Sequence, residues 1–150
     1  WGEAFGLKHF DLDEEIEKRE GKLITDIFEE KGEAYFRKLE KRTLQTYLHL
    51  DNMILATGGG TPCFLNNMKL LNQSGVTIYL KSSPAELAAR LKKEKQTRPL
   101  IANVADEVLE EFIAGKLKYR EEYYNESMYH LFTRYIANEN FSKILKINGS

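Results

Sequence analysis

Short apolar runs alternating with helix-patterned stretches constrain this chain more than any other feature. Three runs stand out: Lys8 to Leu12 (K-H-F-D-L), Met53 to Ala56 (M-I-L-A) and Val76 to Leu80 (V-T-I-Y-L). Each is too short to bury a helix face and suits a strand. A fourth strand falls within Tyr129 to Ala137. Strands separated by whole helices run parallel, because a parallel crossover needs a dozen or more residues. The predicted class is therefore α/β, a parallel sheet flanked by helices.

The helices read as follows. Glu33 to Leu50 is the clearest, with Phe36, Leu39, Thr43, Leu44, Tyr47 and Leu48 at helical spacing. Asp13 to Glu20 forms a helix with Asp13 as its cap. A short helix around D-I-F-E-E follows the turn at Gly21 and stops at Lys31-Gly32. Asn66 to Leu71 forms another, and Ser83-Pro84 opens one that runs to about Lys93. Ala105 to Asn125 is helical with a break near Gly115, and Asn140 to Ile147 closes the chain. Trp1 to Leu7 reads as the end of a helix finished by Gly6.

The 150 residues suit one domain with one core, spanning 1–150. With 22 Lys+Arg against 23 Asp+Glu, the net charge of −1 argues against a general nucleic-acid binder. No apolar run is long enough to span a membrane, and no secretory signal opens the sequence, which begins with Trp1 rather than Met. A cytoplasmic setting is the expectation. The single cysteine, Cys63, excludes an internal disulfide and reads as a small buried residue rather than a nucleophile. His9, His49 and His130 lack metal-ligand spacing.

Ligands of parallel α/β sheets bind beyond the carboxyl ends of the strands. Two polar signatures fall there, D-L-D after the first strand and T-G-G-G after the second. An extended Asp11–Asp13 pair would aim both carboxylates into one cleft, one toward a magnesium ion and one to accept a hydroxyl proton. Folded into a helix start, the same pair is a cap and a solvated acid. Gly58, Gly59 and Gly60 give either a flexible turn or a backbone that reaches positive φ and lets a ligand approach closely. Arg37, with Glu40 one turn on, Arg98 in K-Q-T-R-P-L, and Arg120 are each ordinary surface residues taken singly. Together they supply planar forks for carboxylate and phosphate. Phe28 and Phe36 suit a core more readily than a pocket wall.

These signatures occur in one order. F-D-L-D-E-E-I-E, D-I-F-E-E-K-G-E-A-Y-F-R-K-L-E, T-G-G-G, R-P-L and Y-R-E-E-Y-Y together resemble the shikimate kinases, over nearly the whole chain from Gly6 onward. The resemblance implies a P-loop kinase fold, near the nucleoside monophosphate kinases, with a lid segment at 98–112. It implies transfer of the γ-phosphoryl group of ATP to the 3-hydroxyl of shikimate, with ATP and Mg2+, in a cytoplasmic monomer of the pathway to the aromatic amino acids.

Residue by residue, it implies that Asp13 binds the shikimate hydroxyls and takes the reacting proton, and that Asp11 lies close to the magnesium shell. It assigns Arg37 and Arg120 to the shikimate carboxylate. Gly58, Gly59 and Gly60 become substrate-binding, Glu40 orients the substrate-side arginine, and Phe28 and Phe36 wall the pocket. Arg98 becomes the lid arginine at the transferring phosphates, and Arg90 a residue near the adenine.

The family's phosphate loop, G-x-x-x-x-G-K-[ST], does not occur in the 150 residues and is expected on a strand and helix start ahead of Trp1. Without that strand and loop, these residues alone are expected to be unstable and to have little kinase activity. Two other readings are a non-catalytic shikimate-binding domain and a related small-molecule kinase of the gluconate type.

Overall fold

The computed structural model describes residues 1–95, 101 and 103–148. In chain order it holds β1 (Lys8–Asp11), α1 (Leu12–Glu20), α2 (Ile24–Lys31), α3 (Glu33–Tyr47), β2 (Met53–Ala56), α4 (Asn67–Ser74), β3 (Ile78–Lys81), α5 (Pro84–Glu94), α6 (Asp106–Tyr124), β4 (Tyr129–Phe132) and α7 (Asn138–Ile147). β1 pairs in parallel with β2, and β3 in parallel with β4. The described strands thus form two parallel pairs rather than one continuous sheet. The β1–β2 register sets Asp11 opposite Ala56, so D-L-D and T-G-G-G leave the sheet side by side.

The helix starts follow local chemistry, with one correction. Asp11, not Asp13, caps α1: its Oδ1 accepts the backbone N–H groups of Asp13 at 2.9 Å and Glu14 at 3.2 Å. Asp11 is the last extended residue of β1, so its side chain can reach back to amides the helix leaves unpaired. The extended Asp11–Asp13 pair is therefore not formed, since Asp13 already lies in the first helical turn. Ser83 opens α5 with a complete capping box to Glu86.

Several element boundaries also differ from expectation: the Glu33 helix stops at Tyr47, the next runs Asn67–Ser74, the last starts at Asn138, and three further differences have a local feature behind them. Only one 3-10 turn, Glu3–Phe5, lies in the first seven residues, closed by Gly6 at φ 66°. β3 begins at Ile78 rather than Val76, because Thr77 serves the loop: its hydroxyl donates to Asn72 Oδ1 at 2.5 Å and accepts from Met128 N at 3.0 Å. α6 runs unbroken through the exposed Gly115. A helical glycine costs about 1 kcal/mol relative to alanine, less than the burial of Leu109 and Ile113 on the same helix returns.

The interior has two apolar clusters. Leu12 and Ile16 of α1, Ile27 of α2, and Phe36, Leu39 and Leu44 of α3 form one. Ala88 of α5, Ile101, and Leu109 and Ile113 of α6 form the other. α7 lays Phe141 against Trp1 in a stack with ring centroids 4.6 Å apart. Of β2, Met53 to Leu55 are half-buried and Ala56 is exposed. Each strand has a single strand neighbour among the described residues. No described helix is long and apolar enough to cross a membrane.

Candidate active site

The chain leaves β2 at Ala56, runs through Thr57 and the three glycines, and enters a buried 3-10 turn, Thr61–Cys63. None of the three glycines adopts positive φ, so of the freedom expected of them that part is not used. Their function in the fold is closeness. A Cβ on Gly58 would lie 3.0 Å from Asp13 Oδ1, one on Gly59 2.7 Å from Arg120 Nη1, and one on Gly60 2.7 Å from Arg37 Nη2. Three helices, α1, α6 and α3, thus each set one charged side chain against one of three successive glycines.

Arg37 projects from the second turn of α3 with its side chain 13% exposed. Nη1 donates to Glu40 Oε2 at 2.9 Å, and Nε and Nη2 reach Glu33 Oε1 at 3.4 and 3.3 Å. Its guanidinium also stacks over Phe64, 4.0 Å from the ring centroid. Glu40 is almost wholly buried, and its second oxygen accepts the Thr61 hydroxyl at 2.6 Å. The Thr61 carbonyl in turn accepts Asn67 Nδ2 at 3.0 Å, while Asn67 Oδ1 has no partner among the described residues.

Arg120 lies late in α6 and makes no ion pair among the described residues. Tyr124, one turn on, donates its hydroxyl to the Gly59 carbonyl and so ties α6 to the glycine turn. Burial, chiefly, holds the Tyr124 phenol above its ordinary range, against the charge of Arg120.

Asp13 completes the cluster. Burial raises its carboxyl to about 6, helped by the charges of Asp11, Glu40 and Glu17 and opposed by Arg37. Such a group is mostly ionised at neutral pH and a better proton acceptor than an ordinary aspartate. Two guanidinium groups against adjacent glycines can hold one planar anion bidentately. A hydroxyl on the same molecule would then face Asp13.

Asp13, Arg37, Glu40, Arg120 and Gly58–Gly60 therefore gather in one place. The other predicted positions lie as follows. Phe36 is core, with Phe28 packed on it at 4.6 Å between centroids. Asp11 is exposed and engaged as a cap. Arg90 is exposed on α5. Arg98 lies outside the described residues, and of 98–112 the part from Asp106 onward begins α6. Cys63 is buried behind the glycines, as expected, and burial pushes its thiol up.

Thr61, Phe64, Asn67 and Tyr124 escaped sequence reasoning. Only Tyr124 carried a signal, four residues after Arg120 and so on the same helical face.

A parallel α/β scaffold with an acid and two guanidinium groups around a glycine turn at its strand ends suits a phosphotransferase whose acceptor carries an anion and a hydroxyl. Solved structures agree. A crystal structure of shikimate kinase from Bacteroides thetaiotaomicron superposes with a TM-score of 0.88 at 32% identity, over 99% of this chain and 90% of that chain. The Acinetobacter baumannii shikimate kinase, solved in complex with shikimate, gives 0.83 at 32% identity, over 98% and 81%. The shikimate kinase family model matches residues 1–147. The Phocaeicola vulgatus shikimate kinase is 42% identical over 135 residues, 87% of this chain and 77% of that protein. That of Flavobacterium johnsoniae is 47% identical over 125 residues, 82% and 73%. The chain belongs to the shikimate kinase family.

Proposed function

We propose that this protein transfers the γ-phosphoryl group of ATP to the 3-hydroxyl of shikimate, with the glycine-turn cluster as its acceptor site. The observation that carries the reading is the convergence of Asp13, Arg120 and Arg37 on Gly58, Gly59 and Gly60 in a member of this family. Arg37 and Arg120 bind the carboxylate and fix the ring. Asp13 accepts the hydrogen bond of the reacting hydroxyl and takes its proton as the new O–P bond forms and the bond from the γ-phosphorus to the bridging oxygen of the departing ADP breaks. Phosphoryl transfer asks little covalent help of a protein, so positioning and charge neutralisation are the main contributions. Arg98 would add positive charge at the transferring phosphate.

Mg2+ belongs to the same reading. It binds through one or two carboxylates, phosphate oxygens and water, and no group of three or more acidic, His or Cys ligands occurs among the described residues. Asp11, beside Asp13 at the same strand end, fits that sparse donor set. When bound, the ion would neutralise charge on the phosphates. A cytoplasmic monomer completes the reading.

The test is a phosphate-transfer assay on the full-length protein, with shikimate beside gluconate and nucleoside monophosphates. Turnover of shikimate alone is expected. Turnover of another acceptor in preference would refute the assignment. Binding of shikimate without any turnover would leave only a substrate-binding domain.

A further inference from the structure

Resting on the acceptor-site reading above, we propose that Thr61 is a positioning residue: its hydroxyl fixes the Glu40 carboxylate and, through it, the Arg37 guanidinium that receives the substrate carboxylate. Thr61 is fully buried and Glu40 is 1% exposed, so neither has solvent as an alternative partner. Their hydrogen bond is 2.6 Å long. It takes one oxygen of Glu40 and leaves the other for Arg37 Nη1 at 2.9 Å. The threonine is itself held at both ends of its backbone: its N–H donates to the Gly58 carbonyl at 3.1 Å, and its carbonyl accepts from Asn67 at 3.0 Å. The relay therefore runs from α4 through the glycine turn to α3.

Arg37 has a competing acceptor. Glu33, at the exposed start of α3, reaches the same guanidinium at 3.3 Å. Without the Thr61 hydroxyl, one oxygen of Glu40 is left buried and unpaired, which is costly. The carboxylate then turns toward whatever donor remains, and Arg37 is free to swing toward Glu33, away from Gly60. A shift of an ångström in one arm of a two-arginine clamp is enough to spoil bidentate recognition.

The experiment is calorimetric titration of the full-length protein with shikimate and, in parallel, with its methyl ester, which lacks the carboxylate charge. Thr61→Val preserves shape and removes only the hydroxyl; far-UV circular dichroism checks its fold, and Thr61→Ala takes its place should valine misfold. The expected result is about tenfold weaker binding of shikimate, unchanged binding of the ester, and recovery in Thr61→Ser. In turnover, KM for shikimate rises while kcat stays within about twofold.

Unchanged shikimate affinity would overturn the proposal. So would equal weakening toward acid and ester, the mark of general damage. If the wild-type protein binds neither, the functional reading itself falls. The relay is then decided by the nuclear magnetic resonance signal of the Arg37 Nε–H group: movement in Thr61→Val upholds it and an unmoved signal refutes it.

Discussion

Replacing Asp13 by asparagine should make the protein more stable at neutral pH while disabling it. Asp13 sits half-buried against Gly58, and its carboxylate accepts no hydrogen bond among the described residues. Burial first, then Asp11, Glu40 and Glu17, raises the carboxyl from 3.8 to about 6. A carboxyl raised on folding favours the folded state only while protonated. Relative to a neutral side chain the cost vanishes well below the unfolded value of 3.8, grows as pH climbs from there to about 6, and is constant above it. The ceiling on that cost is about 3 kcal/mol, and solvent screening of a half-exposed group cuts it to roughly 1.5 kcal/mol.

Asparagine has the same shape and no charge. Urea unfolding followed by circular dichroism, without magnesium, should therefore show Asp13→Asn about 1.5 kcal/mol more stable at pH 7. The gap should close to a few tenths of a kcal/mol at pH 4, where the folded wild-type carboxyl is protonated and the unfolded one is only about 60% ionised. Turnover should fall by roughly 10²- to 10⁴-fold, the usual size of a lost proton acceptor. A variant no more stable at pH 7, or a gap that does not change with pH, would refute the electrostatic reasoning.

Other outcomes follow from the same geometry. Arg37→Ala and Arg120→Ala should each weaken shikimate binding by about 10- to 100-fold, with nucleotide affinity nearly unchanged in titration; equal loss of both ligands would remove those residues from the acceptor site. Gly60→Ala would place a methyl group 2.7 Å from Arg37 Nη2. The obstacle is the flexible end of a side chain, so unfolding free energy should change little while shikimate affinity drops about tenfold or more. Leu44→Ala, in the core of the first cluster with no exposure, should lose about 2–5 kcal/mol in urea unfolding. Cys63, buried and with its thiol raised, should react with a thiol reagent only as fast as the protein opens, and at once in denaturant.

The legible parts of this fold were those decided by neighbours in sequence. Met53–Ala56 could be bounded because Asp51 and Asn52 precede an apolar run and glycines end it. Ser83-Pro84 announced the start of α5. The charged members of the site were legible for another reason: a family pattern ties Asp13, Arg37, Gly58–Gly60 and Arg120 together, and the structure does gather them.

What stayed hidden depended on contacts across the chain. Whether Asp11 or Asp13 capped α1 turned on where β1 ended, which its pairing with β2 decided. The start of β3 turned on the second hydrogen bond of Thr77, to Met128, 51 residues away. Thr61 looked like any residue after a glycine turn, and its partner Glu40 lies 21 positions earlier. The glycines were expected to offer both positive φ and close approach; only the approach is found, and that it is three charged side chains that come close is visible only in the distances.

The two guanidinium groups lie against successive glycines, Arg120 at Gly59 and Arg37 at Gly60, and of the two only Arg37 has acidic partners among the described residues. Their like charges repel across the glycine turn, from α3 on one side and from α6 on the other. An anion between them reverses the sign of that force and bolts the two helices together. Substrate is thus a folding ligand as well as a reactant: at a hundred times its dissociation constant it would add about 2.7 kcal/mol to the native state. In a cell, the lifetime of this protein against proteases would rise and fall with its substrate supply.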